Sequence, residues 1–378
     1  MQPRTPRTIQ QALVTRETSG LLRELCDIEN TIDLCSNDYL GLSRRLVRDP
    51  IPEVERIGAT GSRLVSGNSR AHEEFERYLA EVHQCEAALV FGSGYEANLG
   101  LLSCIADRGD TIIFDDLCHA SMRDGIRLSF ARSFSFRHSD LDDLRKKIQS
   151  ARGECFIAVE SVYSMDGDIA PIVDLCKVAE EYGAHLIVDE AHATGIFGAQ
   201  GEGLTQSLGL SARVFARVHT FGKALGYKGA CVVGSGALRS YLINFARPFI
   251  YSTAPDSLSL VLMRRAYDYT REATMERQHV WSLIDQFRGL RSEFPVLEFL
   301  DAQSPIQGVV VPGNRAVVEV EHALLGSGYA VRAIRSPTVP AGRERIRICL
   351  HAFNSIAEIQ ASLAIVTECI TQRGAHAV

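Results

Sequence analysis

Long apolar runs, paired cysteines and an excess of basic charge are all missing from this sequence of 378 residues. No stretch approaches the roughly 20 apolar residues that cross a bilayer. The ten cysteines are scattered without a C-x-x-C pair, so we expect reduced thiols and neither a zinc site nor a disulfide scaffold. The net charge of −6 offers no basic field for nucleic acid or an anionic membrane. We therefore expect a cytoplasmic protein without nucleic-acid, membrane or metal partners.

What is present is the composition of an ordinary globular protein, with 46% hydrophobic and 23% charged residues. The chain is long enough for two or more domains. Short apolar runs alternate with helical patterns through the first half, which predicts an α/β fold with a mostly parallel, doubly wound sheet. We predict an N-terminal helix and arm over residues 1–43, a large domain over 44–269 and an α+β domain over 270–378.

Two apolar runs end next to residues that could carry chemistry. The run 186–188 reads as a buried parallel strand and stops at Asp189, and the run 214–218 is soon followed by Lys223. Ligands of open α/β sheets bind at the carboxyl ends of strands. Pyridoxal phosphate (PLP) needs such a pair, a lysine that forms a Schiff base and an acid that keeps the pyridine nitrogen protonated. Taken singly, a lysine is more often a surface charge and an acid a helix cap.

A glycine turn at 92–94 lies between a predicted strand at 87–91 and a predicted helix at 95–105. Helices that begin this way offer free N–H groups and a positive dipole end, which suit a phosphate. The same turn fits a dinucleotide fingerprint, Gly92-x-Gly94-x-x-Ala97 with Asp115-Asp116 downstream. An oxidoreductase is thus an alternative, although it leaves Asp189 and Lys223 unexplained. A third hypothesis is a binding protein of the same fold without a cofactor.

Four motifs in order carry a family resemblance. They are ESVYSMDGDIAP at 160–171, DEAHATG at 189–195, TFGKALG at 220–226 and SPTVPAG at 336–342. Together they resemble the α-oxoamine synthases, PLP enzymes of the aspartate aminotransferase fold, and the resemblance runs from about Ser36 to the C-terminus. It implies PLP as cofactor, a mostly parallel central sheet with helices on both faces, and a small C-terminal α+β domain.

The resemblance also implies roles for the cofactor site. Lys223 would anchor PLP and take the Cα proton, Asp189 would hold the pyridine nitrogen, and His119 would stack on the ring. Tyr95 stacks or belongs to the core. Thr253 would reach the cofactor of a neighbouring subunit, which implies a homodimer. The remaining expected contacts, to the phosphate or the phenolate oxygen, are Ser93, Gly94, Thr220, Ser164 and His192.

For substrates, the resemblance implies a decarboxylative condensation of an amino acid with an acyl thioester. We expect L-alanine and a pimeloyl thioester, giving an aminoketone for biotin synthesis. The glycine-using synthases of the family, one that transfers acetyl and one that forms aminolevulinate, remain alternatives. Arg335 is the candidate for the amino-acid carboxylate, since a guanidinium binds carboxylate bidentately. Arg23 would lie at the acyl end, and Asn37 and Thr338 near the substrate. Coenzyme A and a carrier protein both remain open as thiol carriers.

Overall fold

The computed structural model describes residues 5–51, 53–54 and 57–376. These residues divide into two compact units. The small unit contains the described residues up to Ser36, the short segment Met165–Gly167 and the chain from Trp281 onward. The large unit contains Asn37–Ser164 and Asp168–Val280. The domain boundaries that we placed after residues 43 and 269 stay a prediction.

Strands and helices alternate along the chain between residues 87 and 220. The strands of the described chain are β1 (Ile32–Asp33), β2 (Ala87–Phe91), β3 (Thr111–Asp115), β4 (Arg132–Phe136), β5 (Cys155–Glu160), β6 (His185–Asp189), β7 (Ala216–Thr220), β8 (Ala230–Gly234), β9 (Glu298–Phe299), β10 (Ile306–Val310), β11 (Tyr329–Ala330), β12 (Arg332–Ile334) and β13 (Arg345–Cys349). The helices are α1 (Arg7–Thr18), α2 (Leu42–Leu46), α3 (Arg70–Val82), α4 (Gly94–Cys104), α5 (Ala120–Leu128), α6 (Leu141–Ile148), α7 (Ile172–Tyr182), α8 (Leu204–Ser207), α9 (Gly236–Phe245), α10 (Arg247–Tyr251), α11 (Ser257–Glu272), α12 (Thr274–Leu290), α13 (Asn314–Gly326) and α14 (Ile356–His376).

A seven-stranded sheet in the order β2-β8-β7-β6-β5-β3-β4 forms the centre of the large unit. From β7 to β4 every pair is parallel, and β8 runs antiparallel to both of its neighbours. Because β8 alone is reversed, the carboxyl ends of the other six strands meet at one edge. This confirms the predicted α/β class with a mostly parallel central sheet.

Each face of this sheet is covered by its own apolar cluster, because successive residues of a strand point to opposite faces. On the α4 face, Val218 packs with Leu101 of α4 and Met122 of α5. On the α3 face, Val90 packs with Phe75 of α3 and Met263 of α11. Strands buried on both faces read as continuous apolar runs, which is why most of them could be located from the sequence.

Two predicted elements differ from the structure. The sequence predicts a strand at 214–218, whereas β7 spans Ala216–Thr220. It includes Arg217 and His219, which are polar yet buried, and their burial depends on partners outside the strand. The apolar pattern of residues 8–24 also predicts a short amphipathic helix. In the structure α1 ends at Thr18 and has no buried residue, so no apolar packing stabilises a longer helix.

The small unit has the α+β character that is predicted for the C-terminal region. An antiparallel sheet in the order β12-β13-β10-β9 and a parallel pair of β1 with β11 accompany helices α13 and α14. Its core includes Ile346 of β13, Val320 of α13 and Leu363 of α14. No helix of the described chain is both long and apolar enough to span a membrane.

Candidate active site

The predicted cofactor residues gather at the edge where six strand ends of the large unit meet. Each follows the carboxyl end of a strand, and these strands are neighbours or next neighbours in the sheet. The arrangement places chemistry where ligands of open α/β sheets bind. The residues, with the strand they follow or end, are Ser93 and Gly94 (β2), His119 (β3), Ser164 (β5), Asp189 and His192 (β6), and Thr220 and Lys223 (β7).

Asp189 is the last residue of β6 and is only 4% exposed. Its Oδ1 accepts the backbone N–H of Ala191 at 2.8 Å, and its Oδ2 accepts the side-chain amide of Asn98 at 2.7 Å. These two bonds fix the orientation of the carboxylate. Asn98 was not predicted, and its only signal in the sequence is a polar amide among the apolar residues of α4.

Glu160 is a second buried acid beside Asp189. The two residues are paired in register at the ends of β5 and β6, and Glu160 is 2% exposed. Its Oε1 accepts the backbone N–H of His119 at 2.6 Å. Burial and the charge of Asp189 raise the pKa of Glu160 to about 8, while Lys223 opposes the shift. The sequence interpretation used Glu160 only as part of a motif and gave it no role.

His119 begins α5 as its N-cap residue. Its Nδ1 lies 2.7 Å from the hydroxyl of Ser121 and accepts the backbone N–H of the same serine at 3.2 Å. Although His119 is exposed in the single chain, partial desolvation of its ring lowers the pKa of the imidazole; the charge of Asp189 opposes this shift and that of Lys223 adds to it. His119 is therefore a neutral, flat ring at neutral pH, which suits the predicted stacking.

Lys223 follows β7 by three residues and is half-buried. Its charge lowers the pKa of both His119 and Glu160, so its amine lies among these groups. A turn fixes the backbone here, since the N–H of Gly226 donates to the carbonyl of Lys223 at 2.8 Å. An amine, a buried carboxylate and a neutral imidazole are thereby brought to one place.

The beginning of α4 lies directly beside Thr220. Ser93 caps the helix, with its hydroxyl oxygen accepting the N–H of Glu96 at 3.2 Å. A Cβ added at Gly94 would come within 3.2 Å of the Thr220 hydroxyl oxygen, a closeness that favours glycine at this position. Helix N–H groups and a hydroxyl together can hold a phosphate, as the sequence predicted for this turn.

The other predicted large-unit residues lie in varied surroundings. Nδ1 of His192 is 2.8 Å from the hydroxyl of Tyr39, which also donates to Asn37 Oδ1 at 3.1 Å. Tyr39 was not predicted, and it links two residues that were. Tyr95 is 45% exposed and its hydroxyl donates to an aspartate at 2.5 Å, so it is not a core residue. Thr253 is exposed in the single chain.

Three of the predicted substrate residues belong to the small unit and line one cavity there. This cavity has a volume of about 570 Å³, and Arg23, Arg335 and Thr338 all contribute to its wall. Nη1 of Arg335 donates to the backbone carbonyls of Gly20 at 2.8 Å and Leu22 at 3.3 Å. The guanidinium is thus held by the segment that follows α1, with its other nitrogens available to a ligand.

The dinucleotide alternative needs Asp115 or Asp116 to bind a ribose. The carboxylate of Asp115 instead accepts the N–H groups of Leu117 and Ser139, each at 2.9 Å. His138 lies 3.0 Å from the same carboxylate and 2.8 Å from Asp168. The two acids raise the pKa of His138 to about 10 against the effect of its burial. Asp115 therefore serves an internal ion pair.

Comparison with known proteins assigns this architecture to a family. Residues 29–364 match the family described as aminotransferase class I and II. The chain is 41% identical over 393 residues to 8-amino-7-oxononanoate synthase of Emericella nidulans, covering 95% of this chain and 94% of that protein. A serine palmitoyltransferase of S. paucimobilis, solved with bound PLP, superposes with a TM-score of 0.87 at 26% identity over 98% of both chains. An 8-amino-7-oxononanoate synthase of Francisella tularensis superposes with a TM-score of 0.77 at 29% identity, over 91% of this chain and 99% of that one. The chain belongs to the aminotransferase class I and II family.

Proposed function

We propose that this protein is a PLP-dependent 8-amino-7-oxononanoate synthase, which condenses L-alanine with a pimeloyl thioester in biotin synthesis. The observation that carries the proposal is the convergence of Asp189, His119 and Lys223 at one sheet edge. A neutral ring, a buried acid and an amine are the side chains that this chemistry requires. The relatives' shared name supports the choice of substrates.

The residues at this edge fit PLP. The close approach of Gly94 to Thr220 leaves backbone N–H groups and a hydroxyl for the phosphate, and buried Asp189 offers a fixed carboxylate for a pyridine nitrogen. We assign phosphate contacts also to Ser93, and contacts to the phenolate oxygen to Ser164 and His192. When bound, PLP withdraws electrons from the Cα of an attached amino acid.

The side chains then have separate tasks. Lys223 would hold the cofactor through Nζ and, once its amine is free, would accept the Cα proton. Asp189 keeps a positive charge on the pyridine nitrogen, because an opposite charge nearby favours the protonated form. A bond then forms between Cα and the thioester carbonyl as the thiol leaves. Loss of carbon dioxide from the alanine carboxyl and return of a proton to Cα complete the aminoketone.

Substrate carboxylates are assigned to the arginines of the small-unit cavity. We assign the amino-acid carboxylate to Arg335, whose guanidinium is oriented by two backbone carbonyls. Arg23 and Thr338 line the same cavity and are assigned to the acyl donor, since a pimeloyl chain ends in a second carboxylate. Guanidinium groups bind such anions through paired, charge-assisted hydrogen bonds. Asn37 is assigned to the same substrate-binding role.

We also propose a homodimer in which Thr253 faces the partner's cofactor. Exposed apolar side chains support an interface in the large unit, with Tyr251 at 70% and Val65 at 82% exposure in the single chain. Isologous dimers are the commonest soluble assembly. Sedimentation of the active enzyme would contradict the assembly if it showed a fully active monomer. The ten unpaired cysteines fit a reducing cytoplasm, where we place the enzyme.

The test uses purified protein and a panel of substrates. Added PLP should give a visible absorbance band that borohydride bleaches, and L-alanine with pimeloyl-coenzyme A should release free thiol. Glycine or L-serine with acetyl-, succinyl- or palmitoyl-coenzyme A are the competing pairs, and pimeloyl carrier protein tests the second donor type. A colourless protein that gains no band would contradict PLP binding. If the enzyme preferred another substrate pair, the proposed reaction class would stand and the proposed substrates would be wrong.

A further inference from the structure

We propose that Asn98 and Ser121 are positioning residues that hold His119 as a neutral imidazole with its proton on Nε2. We further propose that the negative charge of Asp189 sets the direction of the hydrogen-bond chain that joins these residues. The four side chains form one continuous path from Asp189 through Asn98 and Ser121 to His119. The consequence for catalysis rests on the function proposed above, whereas the state of the ring does not.

The direction of the chain is fixed at its Asp189 end. An ionised carboxylate only accepts hydrogen bonds, so the Asn98 atom that faces Asp189 Oδ2 at 2.7 Å must be the amide nitrogen Nδ2. Its second hydrogen points to the Ser121 oxygen at 3.0 Å. The opposite amide oxygen of Asn98 is buried and has no hydrogen-bond partner among the residues that the structure describes. If the Asn98 amide were turned over, its oxygen could accept from Ser121. The same oxygen would then face the carboxylate oxygen of Asp189 at 2.7 Å, which is repulsive.

The other end of the chain is set by the backbone of Ser121. Ser121 Oγ accepts from Asn98 through one lone pair, and its own hydrogen can point to His119 Nδ1, 2.7 Å away. The backbone N–H of Ser121 donates to the same nitrogen at 3.2 Å. Two donors at Nδ1 leave no place for a proton on that atom. A neutral imidazole carries one proton, and it must therefore lie on Nε2.

This state defines what His119 can do. Its ring presents an N–H donor at Nε2, suited to a carboxylate or to an oxygen that gains negative charge, and no free lone pair for taking a proton. Proton transfer at Cα is thereby left to Lys223. Glu160 adds to the positioning, because its carboxyl group accepts the backbone N–H of His119 at 2.6 Å. Ser121 is 1% and Asn98 2% exposed, so the bond between Asn98 and Ser121 is shielded from water.

The first measurement is made on the cofactor-free wild-type protein. Histidine rings are labelled with ¹⁵N, and the His119 signals are assigned by their loss in His119→Gln. We expect a pyridine-like shift for Nδ1 and a pyrrole-like shift for Nε2 at pH 7. A proton on Nδ1, or a cationic ring at that pH, would overturn the proposal even if the enzyme makes the expected product.

Variants test the chain itself. Ser121→Ala removes the hydroxyl donor, and the pKa of His119 should rise by roughly half to one unit, the equivalent of one neutral hydrogen bond. Ser103→Ala is the matched control, because its half-buried hydroxyl on the same helix as Asn98 bonds only a carbonyl of that helix. Asp189→Asn should let the Asn98 amide reverse and draw the Ser121 hydrogen away from His119. Nδ1 then keeps only the weaker backbone N–H donor of Ser121 at 3.2 Å, and a mixture of both ring tautomers should appear.

Activity supplies a separate readout. In Ser121→Ala the acidic limb of the kcat/KM profile should move upward by the same amount as the His119 pKa, with Ser103→Ala unchanged. Unaltered ring shifts in both Ser121→Ala and Asp189→Asn would show that the chain does not set the tautomer. Absence of thiol release with every substrate pair would instead contradict the proposed function and leave the ring measurement standing.

Discussion

Two buried groups of polar residues lie on opposite faces of β6 and β7, and adjacent residues of the chain belong to different groups. Asp189 and Thr220 belong to the strand-end site on the α4 face. Glu190 and His219, each a direct neighbour of one of them, lie on the other side with Arg217. We call Glu190, Thr194, Arg217, His219 and His83 the rear cluster.

The rear cluster is fully enclosed. Glu190 is inaccessible to solvent, and its carboxylate accepts the N–H groups of Leu204 at 2.9 Å and Thr205 at 2.7 Å. The rings of His83 and His219 stack with centroids 3.7 Å apart, and Thr194 bonds His219 Nδ1 at 2.8 Å. Glu190 therefore caps a backbone turn and anchors a loop.

Burial and charge alone do not separate the residues of the proposed cofactor site from structural residues in this protein. Asp189 and Glu190 are both nearly inaccessible acids. The difference lies in their partners. Both oxygens of Glu190 accept backbone N–H groups at the beginning of α8, whereas one oxygen of Asp189 accepts a backbone N–H and the other bonds the Asn98 side chain that leads to His119. Asp189 lies at a strand end, where its carboxylate can act on a ligand. Both oxygens of Glu190 are used by backbone N–H groups, so this residue serves the stability of the fold.

The largest effect is expected from Lys223→Ala, which removes the proposed anchor and the proton acceptor together. Thiol release should fall by more than roughly 10⁴-fold, since both covalent and general-base contributions are lost. The folded structure should persist, because Lys223 is only half-buried. Mass spectrometry after borohydride treatment should find no cofactor on the protein.

The control for this prediction is Lys228→Ala, at the nearest lysine and on the exposed side of the same turn. It should retain both turnover and reducible cofactor. If Lys223→Ala still carried cofactor after borohydride and Lys228→Ala did not, the anchor would be Lys228.

A smaller effect on rate is expected from Asp189→Asn. A neutral amide cannot raise the pKa of the pyridine nitrogen by the one to about three units that a nearby opposite charge provides. Exchange of the alanine Cα hydrogen with deuterium solvent should slow by roughly 10- to 1,000-fold, at about tenfold per unit. Exchange at the wild-type rate would refute the assigned role.

Glu190→Gln is the control for Asp189→Asn, because it makes the same change from acid to amide at the neighbouring residue, in the rear cluster. It replaces one carboxylate oxygen by a donor that faces a backbone N–H, and should cost about 2 kcal/mol in the free energy of unfolding. Its turnover per folded molecule should stay near that of wild type. A variant that lost rate but not stability would remove the distinction between the two groups.

The smallest effect is on how the free energy of unfolding depends on pH, and its sign should differ between the two faces of the sheet. Burial holds the pKa values of His83 and His219 well below the ordinary 6.5. Below that pH the unfolded chain binds protons that the folded chain does not, so stability falls as pH falls, by about 1.4 kcal/mol per pH unit and group. The free energy of unfolding, measured by urea titration between pH 7 and 5, should depend less steeply on pH in His83→Gln than in wild type.

Glu160 on the strand-end side should act in the reverse direction. The pKa of Glu160 is raised from 4.5 to about 8 in the folded chain. Between these two pH values the folded chain therefore binds a proton that the unfolded chain has lost. Stability should therefore fall as pH rises through the window, by up to about 1.4 kcal/mol per unit. Glu160→Gln should flatten that slope, and an unchanged profile would mean that Glu160 is ionised in the folded protein.

Local patterns were enough to predict the fold class and to single out Asp189, Lys223 and the glycine turn at 92–94, whereas His119, Ser164, His192 and Thr253 came from the family resemblance. An apolar run that stops at Asp189 indicates a strand end, and the glycine turn at 92–94 indicates a helix start, because both signals depend on neighbouring residues. The observed ends of β2 and β6 and the beginning of α4 agree within one residue. The assigned roles of the site residues stay predictions until the variants are measured.

The tertiary structure alone decided which residues meet. Asn98, Ser121 and Glu160 reach His119 and Asp189 from α4, α5 and β5, and the order of strands in the sheet is not encoded in any local pattern. It also decided that β7 extends beyond residue 218 to include His219, since a polar residue that is buried in a strand is stable only where a distant partner bonds it. Apolar burial is set by the local sequence, whereas polar burial depends on hydrogen-bond partners that only the folded chain brings together.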